Sequence, residues 1–104
     1  MIRIVVVLVS ALLVGTSALA EAATVAVGHN RLTPSQLTVE AGTTVTFENQ
    51  DAMPGGHTIV ADDGSFQSPA LAKGETWSHK FEKPGTHPYS IKEHPSAKGS
   101  VTVK

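Results

Sequence analysis

The sequence predicts an all-β sandwich of about seven strands, and three observations carry that prediction. Apolar residues recur at every second position in short segments, turn residues separate those segments, and no segment beyond the N-terminus keeps a helical apolar period. Alternation at a period of two puts one face of each segment on a core and leaves the other in water.

The first twenty residues are read apart from the fold. Met1, Ile2 and Arg3 give a short basic start, Ile4 to Val14 is apolar except for Ser10, and Ala18-Leu19-Ala20 is a small-x-small cleavage sequence. These are the three parts of a secretory signal, and the apolar run is too short to span a bilayer. The expectation is a signal peptide over 1–20 and one exported domain over 21–104, periplasmic or secreted. Ala20-Glu21-Ala22 offers a second cleavage point.

The strands are expected near 24–28, 36–40, 43–49, 57–61, 75–82, 85–91 and 99–103. Val25 and Val27 face inward from the first, Leu37 and Val39 from the second, and Val45 and Phe47 from the third. Ile59 and Ala61 do so in the fourth, Trp77 and Phe81 in the fifth, Tyr89 and Ile91 in the sixth, and Val101 and Val103 in the last. Leu32, Phe66 and Leu71 complete the predicted core. The breaks carry turn chemistry: Ala41-Gly42, Pro54-Gly55-Gly56, Asp62-Asp63-Gly64, Lys73-Gly74, Lys83-Pro84-Gly85 and Lys98-Gly99. The stretch from Asp62 to Lys73 is expected as a loop with room for a helical turn.

Composition excludes several function classes. Beyond residue 20 there are seven Lys/Arg against nine Asp/Glu, interleaved along the second half, which gives no electrostatic case for nucleic acid. There is no cysteine, so neither a disulfide nor a thiolate ligand is available. Ser90 and Ser96 flank His94, but no oriented acid or oxyanion element accompanies them, and no enzyme is expected.

Five histidines are present, and their placement is informative. His57 opens a strand directly after the Met53-Pro54-Gly55-Gly56 turn, and His94 sits in the turn-like segment Lys92-Glu93-His94-Pro95. Strand ends in a sandwich converge on one surface, and neutral imidazole is the commonest protein ligand for copper and zinc. His79 shares parity with Trp77 and Phe81 and is expected inward as a hydrogen-bonded core residue. His87 lies about 13 Å along its strand from Ile91 and is expected to pack. His29, in Gly28-His29-Asn30-Arg31, reads as surface.

From Leu37 to Lys104 the sequence resembles the cupredoxin family, in particular its small plastocyanin- and amicyanin-like domains. The resemblance runs through Leu37-Thr38-Val39-Glu40-Ala41-Gly42-Thr43, Asn49-Gln50-Asp51-Ala52-Met53-Pro54 leading into His57, and Ala61-Asp62-Asp63-Gly64-Ser65-Phe66. It continues through Gly74-Glu75-Thr76-Trp77, Lys83-Pro84-Gly85-Thr86, Pro88-Tyr89, and His94-Pro95 followed by Lys98-Gly99-Ser100-Val101-Thr102-Val103. It implies a Greek-key β-sandwich, a copper cofactor, electron transfer as the family activity and a redox or copper-handling protein of the periplasm as partner.

The resemblance also implies a ligand set, from which this chain departs. Family ligands are a His after the Pro turn, then Cys-x-x-His-x-x-Met between the last two strands. His57 and His94 match the two histidines, Ile91 stands at the cysteine position and Ala97 at the methionine position. A blue copper centre needs the copper–thiolate bond, so no such centre is expected. What remains is a two-imidazole site with Glu93, Met53 or Asp51 as candidate third ligand, Met53 being the one that would favour Cu(I). Two readings stay open: a monomeric copper-binding protein, or a metal-free module whose Met53-Pro54-Gly55 and Pro95-Ser96-Ala97 loops dock a protein partner.

Overall fold

The structure, a computed structural model, describes residues 22–104. The expected signal peptide lies outside the described residues. Among the described residues eight strands form, one more than expected: β1 (Ala22–Gly28), β2 (Arg31–Thr33), β3 (Gln36–Val39), β4 (Thr43–Asn49), β5 (Ile59–Ala61), β6 (Thr76–Phe81), β7 (Gly85–Ile91) and β8 (His94–Val103). They make two four-stranded sheets, in the orders β2-β1-β4-β6 and β3-β8-β7-β5.

Two differences from the expected boundaries bear on the site. The added strand β2 is only three residues long, with Leu32 alone buried, and folds back antiparallel on β1 so that Gly28 pairs with Arg31. β8 begins at His94 rather than near residue 99, because the chain reverses tightly at Lys92-Glu93 and Ile91 pairs with His94 across an irregularity after Ser90. His94 is thus a strand residue at the hairpin mouth. No helical turn forms between Asp62 and Lys73; that stretch is held by isolated bridges, His57 with Leu71 and Val60 with Gln67.

β1 runs parallel to β4, with Val27 paired to Asn49, and so brings the end of the first strand beside the end of the fourth. β3 runs parallel to β8, and β7 is antiparallel to both β5 and β8.

The alternating residues meet between the sheets as expected. Val25, Val27, Val45, Phe47, Ile59, Ile91 and Val101 are fully buried, while Leu37 and Trp77 are half-buried at its margin. Phe47 meets Tyr89 edge-on with ring centroids 5.4 Å apart, which joins β4 of one sheet to β7 of the other. Such pairs contribute about 0.5–1.5 kcal/mol beyond their area. The Tyr89 hydroxyl is buried without a hydrogen-bond partner. Gly99 lies against it so closely that a Cβ there would sit 2.7 Å from the phenol carbon and oxygen.

His79 is held by rings rather than by a hydrogen bond: it stacks on Trp77 at 5.5 Å and meets Phe66 at 4.7 Å and Phe81 at 4.8 Å. Desolvation, reinforced by the charge of His87, holds its pKa below the ordinary value. His87 packs on Phe81, with its Nε2 2.8 Å from the Lys83 carbonyl oxygen.

Candidate metal centre

One end of the sandwich collects His29, Asp51, His57 and His94 from three separate stretches of chain. The arrangement starts with Asn49, the fully buried last residue of β4. Its Nδ2 donates to the Leu71 carbonyl at 2.7 Å, and its Oδ1 accepts from the Asp51 N–H at 2.9 Å. The same Leu71 carbonyl accepts the His57 N–H at 3.0 Å. Asn49 therefore sets the heights of Asp51 and His57 from one carbonyl.

Asp51 is turned by its own chain. Its Oδ1 accepts from the Met53 N–H at 3.0 Å, the local turn that Asp favours. That bond, against the opposing effect of burial and with help from His29, holds the carboxyl below its ordinary pKa. Its other oxygen is left to face imidazoles: Asp51 Oδ2 is 3.0 Å from His29 Nδ1 and 3.1 Å from His57 Nε2.

His57 is 2% exposed. Its Nε2 is within ion-pair distance of Asp51 but off hydrogen-bond geometry, so both ring nitrogens are buried without a hydrogen-bond partner. Leaving a buried polar group unpaired costs about 1–3 kcal/mol. His94 lies beside it, with ring centroids 5.0 Å apart, and its other neighbour is His29 at 4.9 Å. One ligand atom from each of His29, Asp51 and His94 can be chosen so that all lie within 4.8 Å of one another.

The expected pair, His57 and His94, is therefore brought together across 37 positions of sequence. Of the three candidate third ligands, Asp51 is in the cluster. Met53 stands 57% exposed. Glu93 is engaged elsewhere: its two carboxylate oxygens accept from the N–H and the hydroxyl of Thr58, each at 2.7 Å. Burial works against its charge, but the Thr58 bonds outweigh it and keep the carboxyl below its ordinary pKa.

Ile91 is fully buried and Ala97 is 3% exposed, so both replaced positions are filled with hydrocarbon facing the core. His29 lies on the surface, as the sequence reading expects, but it also belongs to the cluster. Its side chain is 58% exposed, as a surface residue should be, yet its ring is locked onto Asp51. The β1–β2 turn that carries it passes through Asn30 at φ 58°, a left-handed conformation that Asn tolerates. The Asn30 Oδ1 accepts from the Ser96 hydroxyl at 2.6 Å, tying this turn to the segment after His94.

Comparison with known proteins agrees with this architecture. A family model described as a cupredoxin-like domain matches residues 2–103. A plastocyanin from Scenedesmus fuscus is 37% identical over 84 residues, covering 68% of this chain and 84% of that protein. Amicyanin-alpha of Methylorubrum extorquens is 34% identical over 74 residues, covering 66% of this chain and 60% of that protein. Among solved structures, a purple cupredoxin from Nitrosopumilus maritimus superposes with a TM-score of 0.72 at 30% identity, over 79% of this chain and 99% of that one. A copper-containing nitrite reductase from Thermus scotoductus gives the same TM-score at 33% identity, with 79% of this chain covered but only 22% of the enzyme. By sequence and by superposition, the chain belongs to the cupredoxin family.

Proposed function

We propose that this domain is exported, binds copper through His57 and His94 with Asp51 as an oxygen ligand, and acts in copper handling rather than as an electron carrier or an enzyme. The observation that carries the reading is the pair of buried, partnerless nitrogens on His57, set against Asp51 and His94. A cation accepts such lone pairs and removes the cost of their burial. Imidazole and carboxylate suit divalent copper, and the ion would supply Lewis-acid and redox chemistry that the side chains lack. The absent thiolate counts against fast electron transfer, because a two-His site changes geometry between Cu(I) and Cu(II).

The test is a Cu(II) titration of residues 21–104, read by electron paramagnetic resonance and visible absorption beside a His57→Ala, His94→Ala double variant. Stoichiometric binding with a wide copper hyperfine splitting, no intense visible band, and loss of both binding and copper-dependent thermal stabilisation in the variant is expected. Binding no stronger than in the double variant would sink the reading. It would leave the metal-free module, for which the exposed Met53 at the same end is the supporting observation.

A further inference from the structure

We infer that the metal centre reaches further outward than the family position, and that His29 is a ligand in it, joining Asp51 and His94 on the solvent side of His57. The inference rests on the metal-binding reading above and names the ligand set of that site.

Three observations lead there. The donor atoms that converge are those of His29, Asp51 and His94, on the solvent side, where His29 is exposed and His94 half-buried. On the inner side Ile91 and Ala97 present only hydrocarbon, which leaves the His57 nitrogens as the donors there and room for a further ligand from the solvent side. The β1–β2 turn is also built into the site rather than hanging over it: Asn30 is bonded to Ser96, and His29 contacts both Asp51 and His94.

His57 binds from behind. Its Nε2 stands 3.1 Å from the carboxylate oxygen that also meets His29, so that oxygen lies between the two imidazoles. Three imidazoles and a carboxylate, with no sulfur, select a divalent ion, Cu(II) or Zn(II), over Cu(I).

The experiment compares wild type with His29→Gln, Asp51→Asn and His57→Gln by Cu(II) and Zn(II) titration calorimetry and by pulsed electron paramagnetic resonance counting of coordinated imidazoles. His29 is exposed, so its variant keeps the fold, and Asn at position 51 can still accept the Met53 N–H. Expected are a loss of at least about tenfold in affinity for both ions in His29→Gln, with one coordinated imidazole fewer. His57→Gln, which tests the reading beneath, should also lose one coordinated imidazole. The inference is overturned if His29→Gln titrates like wild type or keeps the full imidazole count. Either result leaves copper binding itself intact at His57 and His94. Absence of binding in wild type overturns both this inference and the reading beneath it.

Discussion

Glu93 clasps Thr58 with both oxygens of its carboxylate, each at 2.7 Å, and these two residues are the immediate neighbours of His94 and His57. The clasp ties the entry to β5 onto the β7–β8 hairpin, supported by the Lys92 N–H donating to the Thr58 carbonyl at 2.9 Å. It sets the spacing of the two rings without contributing a donor atom to the cluster.

Glu93→Gln is expected to lower stability by about 1–2 kcal/mol near neutral pH, toward the low end of what hydrogen bonds to a charged group contribute, because the site is partly exposed. The carboxyl's pKa is held below its ordinary value of 4.5 in the folded protein. Its contribution is therefore present above about pH 4.5 and is lost as pH falls through the folded value. Urea unfolding at several pH values should show the gap between variant and wild type closing on the acid side. A gap independent of pH would mean that the charge of Glu93 is not what stabilises the clasp.

Tyr89 behaves in the opposite sense. Burial pushes its phenol up to about 12, and its hydroxyl has no partner. A pKa raised above the unfolded value of 10 gives stability that is complete below pH 10 and declines as pH rises toward 12. Tyr89→Phe is expected to be neutral or to gain up to about 1 kcal/mol at pH 7, since it removes an unpaired group. It should also flatten the alkaline decline seen in a pH series of thermal melts. A loss of several kcal/mol on that change would show that the hydroxyl is paired after all.

Gly99 is required by close approach rather than by backbone conformation. A Cβ there would lie 2.7 Å from the Tyr89 ring carbon and oxygen and 3.0 Å from the Ser35 carbonyl oxygen. Gly99→Ala forces Tyr89 away from Phe47 or β8 away from β3, at a cost of about 1–3 kcal/mol, the range for overpacking a core. Chemical denaturation measures it. An unchanged midpoint would mean that the tyrosine ring is free to swing aside.

Ile91→Cys returns a sulfur to the family position, on a fully buried strand residue paired with His94. The variant is expected to lose about 1–3 kcal/mol of core stability. With Cu(II) it should develop an intense visible absorption that wild type lacks, because a thiolate beside two imidazoles is the blue copper donor set. A colourless copper complex of the variant would show that His57 and His94 no longer address that inner position.

The sandwich and its core were legible because alternation reports directly on burial: Val45 and Phe47, or Tyr89 and Ile91, have the same parity in the chain and in the fold. β2 was not, because three residues with one buried side chain leave no periodic signal. The early start of β8 was hidden by Pro95, which reads as a turn residue but is accommodated at the hairpin mouth. His57 and His94 were found because each lies next to turn chemistry at a strand end. His29 has the same placement, but its meaning depends on the parallel pairing of β1 with β4, a contact between strands that no local pattern records. Glu93 stands next to His94 in sequence, but only the fold shows that Thr58 occupies both of its oxygens.

The ties at the His29 end close long stretches of chain: 66 positions between Asn30 and Ser96, 35 between Thr58 and Glu93, and 22 between His29 and Asp51. His29 and Asp51 follow strands of one sheet, while His57 and His94 belong to the entry of β5 and to β8 in the other. The four side chains can therefore meet only where the two sheets are docked. An arriving ion encounters a finished receptor rather than a nucleus around which the chain collapses, so folding rates should be indifferent to copper even where the melting temperature is not.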